Sequence, residues 1–129
     1  MIKSYRHSGI IVTDIKKSEK FYNKLLKLKK VSRMIESGEY LNSLNGTKNL
    51  KVDVLKVKSE DNVIVEIAKY LNVKNKKRKK PKSMVELGTT HMCFTVTNIK
   101  ELYKRLKKNK VEFFSPPLTS PYDPVTTCF

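Results

Sequence analysis

The period of the apolar positions changes in a fixed order along this chain. In residues 7–12, Ile10 and Val12 point to one side while His7, Gly9 and Ile11 point to the other, the alternation of a strand. From Ile15 the period lengthens: Ile15, Ser18, Phe21, Tyr22, Leu25 and Leu26 fall on one stripe with lysines opposite, predicting a helix over 15–26. Strands are then expected at 30–35, 50–57 and 63–70. The segment GEYLNSLNGTKN between the first two is rich in turn formers with room for one helical turn, and Asp61-Asn62 marks a hairpin between the last two.

The plan then starts again. A strand is expected at 89–96, with Met92, Phe94 and Val96 on one side and His91, Cys93, Thr95 and Thr97 on the other. A helix over 99–108 follows, striped by Ile99, Leu102, Tyr103 and Leu106. A strand at 111–114, a Pro116-Pro117 loop and a short strand within 125–129 complete the chain. His7–Lys16 (HSGIIVTDIK) set above His91–Lys100 (HMCFTVTNIK) matches at His7/His91, Val12/Val96, Thr13/Thr97, Ile15/Ile99 and Lys16/Lys100. Asp14 faces Asn98, both strong N-cap types placed where a strand turns into a helix. Duplication of one module accounts for this agreement. The expected fold is α+β, with two βαβββ modules of which the second lacks its last strand. The whole of 1–129 reads as one domain: module one about 1–70, a basic linker over 71–88, and an incomplete module two about 89–129.

Composition narrows the class. With 39% hydrophobic and 31% charged residues the chain is globular, neither disordered nor membrane-spanning. The N-terminus MIKSYRHSGIIV shows no secretory pattern, and Cys93 and Cys128 lack metal-site or framework spacing. Free thiols in a cytoplasmic protein are therefore the expectation. The net charge of +16 suggests a polyanion partner, yet only Arg6, Arg33, Arg78 and Arg105 of the 28 basic residues are Arg. Base and phosphate recognition favour Arg, so the lysines read as a solvated surface and a nucleic-acid partner is not expected. The densest basic run, residues 74–82, reads as a linker, with an anion contact as the alternative.

Candidate chemistry follows from the faces. The helices need an apolar sheet face, and Ile10/Val12 and Met92/Phe94/Val96 provide it, so His7 and His91 project away from the helices. In Val63–Ala68 (VIVEIA), Glu66 interrupts an apolar run and takes the face opposite Val63, Val65 and Ile67. Burying a carboxylate costs several kcal/mol unless something pairs it, on the order of the penalty known for buried ions. Two imidazoles and a carboxylate on rigid strands suit a divalent ion: Zn, Ni, Co, Mn or Fe(II). The bland alternatives are half-buried polar histidines, an ion pair between Glu66 and one of the many lysines, and Cys93 as a core residue.

His7 opening a strand, VTDIKKSEKFYNKLL, VIVEIAKY with Glu66, and THMCFTVTNIKELYKRL with His91 resemble the vicinal oxygen chelate superfamily, the glyoxalase/bleomycin-resistance/dioxygenase group. FYNKLLKL is similar to the "FY..lLG" pattern of that group, with Lys27 where the pattern has Gly. GEYLNSLNG and FFSPP resemble members described as lactoylglutathione-lyase-like. The resemblance implies paired βαβββ modules whose sheets hold one metal, with His7, Glu66 and His91 as three of four ligands. The fourth is a Glu on the last strand. The offset from His7 to His91 carries the counterpart of Glu66 beyond Phe129, so either the chain is truncated or its cup is incomplete. The implied activity is that of a metal-dependent lyase or isomerase of the glyoxalase type, acting on a small oxygenated or thiol-conjugated substrate. Glu66 would serve as ligand or as base. The alternatives are a methylmalonyl-CoA-epimerase-like racemase, an extradiol dioxygenase and a non-catalytic binder of the bleomycin type. A homodimer is expected, since members of the group pair modules across such an interface.

Overall fold

In the computed structural model, which describes residues 1–74, 85 and 87–129, the β-rich segments of the N-terminal half pair into one four-stranded sheet. Its strands are β1 (His7–Ile11), β2 (Lys29–Ser37), β3 (Lys51–Lys58) and β4 (Ile64–Tyr70), in the order β1-β4-β3-β2. β2, β3 and β4 form an antiparallel meander, and β1 joins β4 in parallel. The β3–β4 hairpin turns where expected, with Asn62 in the left-handed region at φ 65 and Ser59 N–H donating to Val63 O. β3 is buried along most of its length because it is central, covered along one face and over part of the other.

One face of this sheet carries Leu55, Val57, Val65 and Ile67, the most deeply buried side chains, with Ile10 in register beside Ile67. Helix α1 (Ile15–Glu19) lies against β3 and β4. It starts at Asp14, whose carboxylate accepts from Lys17 N–H at 3.0 Å and so satisfies an otherwise orphaned donor. The single helix expected over 15–26 is helical throughout but changes winding. Lys20–Leu25 is π-helical, and Leu26 N–H donates to Phe21 O at 2.9 Å, one residue beyond the α-helical partner.

At the end of that turn Lys27 takes φ 61, a conformation that glycine adopts without steric cost. Lys27→Gly is therefore expected to raise stability by about 0.5–1 kcal/mol, the left-handed penalty removed less the extra chain entropy of glycine. Urea midpoints would show it; an unchanged or lower midpoint means that the lysine fits this bend without strain.

On the opposite face, α2 (Glu39–Asn45) is a fuller helix than the single turn expected, because Leu41 and Leu50 pack on Val52 and Val54 with Ala68 and Tyr70 around them. This cover reaches only one end of that face.

The chain divides into two compact units, Met1–Arg78 and Lys79–Phe129. The second is built on α3 (Ile99–Lys108), which begins, like α1, with a side-chain cap: Asn98 accepts from Glu101 N–H at 3.0 Å. Leu102 and Leu106 are buried, and the Tyr103 ring packs on Phe113 at 4.7 Å and Phe129 at 5.7 Å between centroids. Leu118–Thr119 (β5) pairs with Thr127–Cys128 (β6), so the strand expected within 125–129 is present and has a two-residue partner not foreseen.

Two expected strands of this unit are corrected. Residues 89–96 and 111–114 carry no regular secondary structure. β1 is a strand because β4 lies beside it, whereas among the described residues no strand pairs with the copied segment. Phe113 is held instead by the aromatic cluster. The basic run over 74–82, Lys74 apart, lies outside the described residues, and the linker expectation with it. No helix among the described residues is long and apolar enough to cross a membrane.

Candidate functional site

The open end of the sheet face that α2 leaves uncovered holds the candidate chemistry. Parity decides which side chains meet there. Gly9 is in register with Glu66 on β4, and Glu66 with Lys56 on β3, so these positions and His7, two residues before Gly9, share one face. His7 Nε2 stands 4.0 Å from Glu66 Oε1, and Lys56 Nζ stands 3.2 Å from Glu66 Oε2. Glu66 is half-buried, with its side chain 25% exposed.

A side chain at Gly9 would fill the ground between His7 and Ile11 in front of Glu66. An added Cβ there would meet nothing within 4 Å, so the space immediately over Gly9 is open. Lys58, also on this face, is turned away and donates to Asn62 Oδ1 at 2.6 Å.

The donor set fits a divalent ion in part. An imidazole nitrogen and a carboxylate oxygen sharing a tetrahedral ion with bonds of about 2.1 Å lie about 3.4 Å apart, so the observed separation needs only a small closure. Two donors from two adjacent strands make a partial site. Among the described residues no three His, Cys, Asp or Glu side chains come together as a metal-binding group.

His91, the third residue singled out from sequence, is exposed in the second unit, on a segment without regular structure. The strand parity used to aim it does not apply there. Cys93, read as a core residue, is exposed, and so is Cys128. The ion pair kept as the alternative for Glu66 is present, with Lys56 as the partner. Its residue could have been found by reading KVDVLKVK with the alternation applied to VIVEIAKY, which puts Lys56 level with Glu66 across the hairpin.

The opposite face carries a second charged group that sequence reading passed over. Arg33 donates to both oxygens of Asp53, from Nε at 3.1 Å and from one terminal nitrogen at 2.8 Å, and its other terminal nitrogen donates to Glu19 at 2.7 Å. Lys30 also donates to Glu19, at 2.8 Å. The Arg33 fork holds the Asp53 carboxyl below the usual carboxylate range, and Lys30 with Arg33 does the same for Glu19. This network ties α1 to β2 and β3 and is structural.

Comparison with known proteins supplies the rest. Residues 6–129 match the sequence model of the glyoxalase/bleomycin resistance protein/dioxygenase superfamily. No curated protein matches the sequence. Among solved structures, a glyoxalase family protein from Bacillus cereus is similar with a TM-score of 0.82 at 20% identity, over 90% of this chain and 78% of that one. The fosfomycin resistance protein FosX from Listeria monocytogenes, as a mutant complexed with Mn(II) and 1S,2S-dihydroxypropylphosphonic acid, is similar with a TM-score of 0.58 at 15% identity, over 94% of this chain and 79% of that one. At such identities these likenesses speak for the fold.

Proposed function

The chain belongs to the glyoxalase/bleomycin resistance protein/dioxygenase superfamily, and from that membership we propose that it is a divalent-metal-dependent enzyme of lyase or isomerase type acting on a small oxygenated substrate. One observation carries the reading: His7 and Glu66, on neighbouring strands and one open face, bring an imidazole nitrogen and a carboxylate oxygen within 4.0 Å of each other. The Mn(II) held by FosX, a protein of similar fold, supports a metal as the third party. A bound divalent ion would supply Lewis-acid stabilisation of charge on substrate oxygens.

His7 would donate Nε2 to the ion. Glu66 would donate Oε1, or use that oxygen as the base that removes a proton from a carbon beside a carbonyl. His91 is proposed as a further donor on the strength of its repeat correspondence with His7. A cytoplasmic homodimer without a nucleic-acid partner completes the proposal.

Purified protein is expected to carry near-stoichiometric divalent metal by elemental analysis, and His7→Ala and His91→Ala are each expected to lose most of it while keeping the wild-type dichroism spectrum. Negligible metal in wild type and variants alike would turn the reading to the metal-free binding module, in which neither histidine is a ligand. Metal retained in His91→Ala but lost in His7→Ala would remove His91 alone from the set.

A further inference from the structure

Resting on that metal reading, we propose that Lys56 is a positioning residue of the site: it occupies Glu66 Oε2, leaves Oε1 as the carboxylate oxygen presented toward His7, and so makes Glu66 a one-oxygen donor for a readily exchanged divalent ion. The geometry assigns the two oxygens to different partners. Lys56 Nζ is 3.2 Å from Oε2, and His7 Nε2 is 4.0 Å from Oε1. Register fixes this division, because Lys56 and Glu66 are paired positions of the antiparallel β3–β4 hairpin while His7 approaches from β1 on the other side. A carboxylate without such a neighbour can turn about its last bond and chelate an ion through both oxygens. With an ammonium holding one oxygen, turning the carboxylate to chelate competes with the ion pair. Outer partners of a ligating carboxylate set its orientation in this way.

Lys56 also places a like charge beside the cation, which weakens binding further. At 35% and 25% side-chain exposure the pair is screened but still within contact range. Lys58 offers the contrast that makes the idea testable. It lies on the same strand and the same face with the same charge, but its ammonium is directed to Asn62 and makes no contact with Glu66.

The test uses Co(II) as the probe on the full chain, followed by visible absorption and by calorimetry. Lys56→Met is expected to bind Co(II) at least tenfold more tightly than wild type. Its d–d absorption should weaken as the carboxylate adds a second oxygen to the coordination shell. Lys56→Gln should move both readouts the same way, and Lys58→Met should leave the spectrum as in wild type and the affinity within about threefold, the share expected of one screened surface charge. If the Lys56 and Lys58 variants behave alike in both readouts, or if the spectrum of Lys56→Met is unchanged, the positioning role is overturned and the metal reading stands. If wild type shows no saturable Co(II) binding, or His7→Ala binds it as wild type does, the metal reading itself is overturned.

Discussion

Arg33→Met is expected to destabilise the first unit by about 2 kcal/mol, less than breaking a fully buried ion pair from one side because this pair is only part-buried. The substitution keeps most of the side-chain volume and removes the fork that satisfies both oxygens of Asp53, a buried residue, and one oxygen of Glu19. Glu19 retains Lys30; Asp53 loses its closest partner. Replacing both members, as Arg33→Met with Asp53→Leu, should recover most of the loss, because two apolar groups leave no uncompensated charge. Urea melts at neutral pH provide the measurement, and a loss under 1 kcal/mol for the single variant would reduce the network to an ordinary surface pair.

The same network sets the acid limit. Asp53 and Glu19 both have folded-state pKa values lowered by their cationic partners. Below the carboxylate values of an unfolded chain, near 4, the unfolded state takes up protons that the folded state refuses, so stability falls as pH drops. The contribution is complete above that point and disappears as pH falls through the lower folded values. Wild type should therefore lose stability more steeply than Arg33→Met on acidification from about pH 5 downward, and run parallel to it between about pH 5 and 8.

Ile67→Ala should cost still more, about 4 kcal/mol, within the range for truncating a fully buried isoleucine. Ile67 is 0% exposed, with Leu55 in register on one side and Ile10 on the other, so its missing methylenes leave a cavity walled by neighbouring strands and unable to collapse. Ile11→Ala is the control, since Ile11 lies on the open face and is 66% exposed; it should change stability by under about 0.5 kcal/mol. Similar losses at both positions would mean that the sheet does not pack on the face described.

What could be read from sequence follows from how far each inference had to reach. The four strands of the first unit were legible because alternation is local, and the shared face of His7 and Glu66 followed because strand parity alternates without drift over a few residues. His91 shows the same rule failing: residues 89–96 alternate as well as β1 does, but alternation predicts faces only where a neighbouring strand makes a sheet. The π-helical winding of Lys20–Leu25 was beyond reach, since a shift of one residue in hydrogen-bond partner hardly changes the apolar stripe over so short a span. Asp53 was overlooked for a different reason. Its partner sits on another strand, and only the β2–β3 register, with its irregularity between Lys30 and Ser32, brings Arg33 within reach. The length of α2 depended on Leu41 finding Val52 and Val54, again a contact between segments far apart in sequence.

The parallel seam between β1 and β4 also fixes an order of events. β2, β3 and β4 follow one another through a short helix and a tight turn, so their pairing closes small loops, whereas β1 must return across the whole meander to find β4. That closure is the least local step in the unit and the slowest to form. His7 and Glu66 lie on the two sides of this seam, so during synthesis the first of the two proposed donors emerges long before the second exists, and the meander can assemble with His7 still adrift. If the two residues ligate a metal as proposed, a nascent chain would present separate, weak ligands to the metal pool, and cation capture by both would be a mark of completed folding.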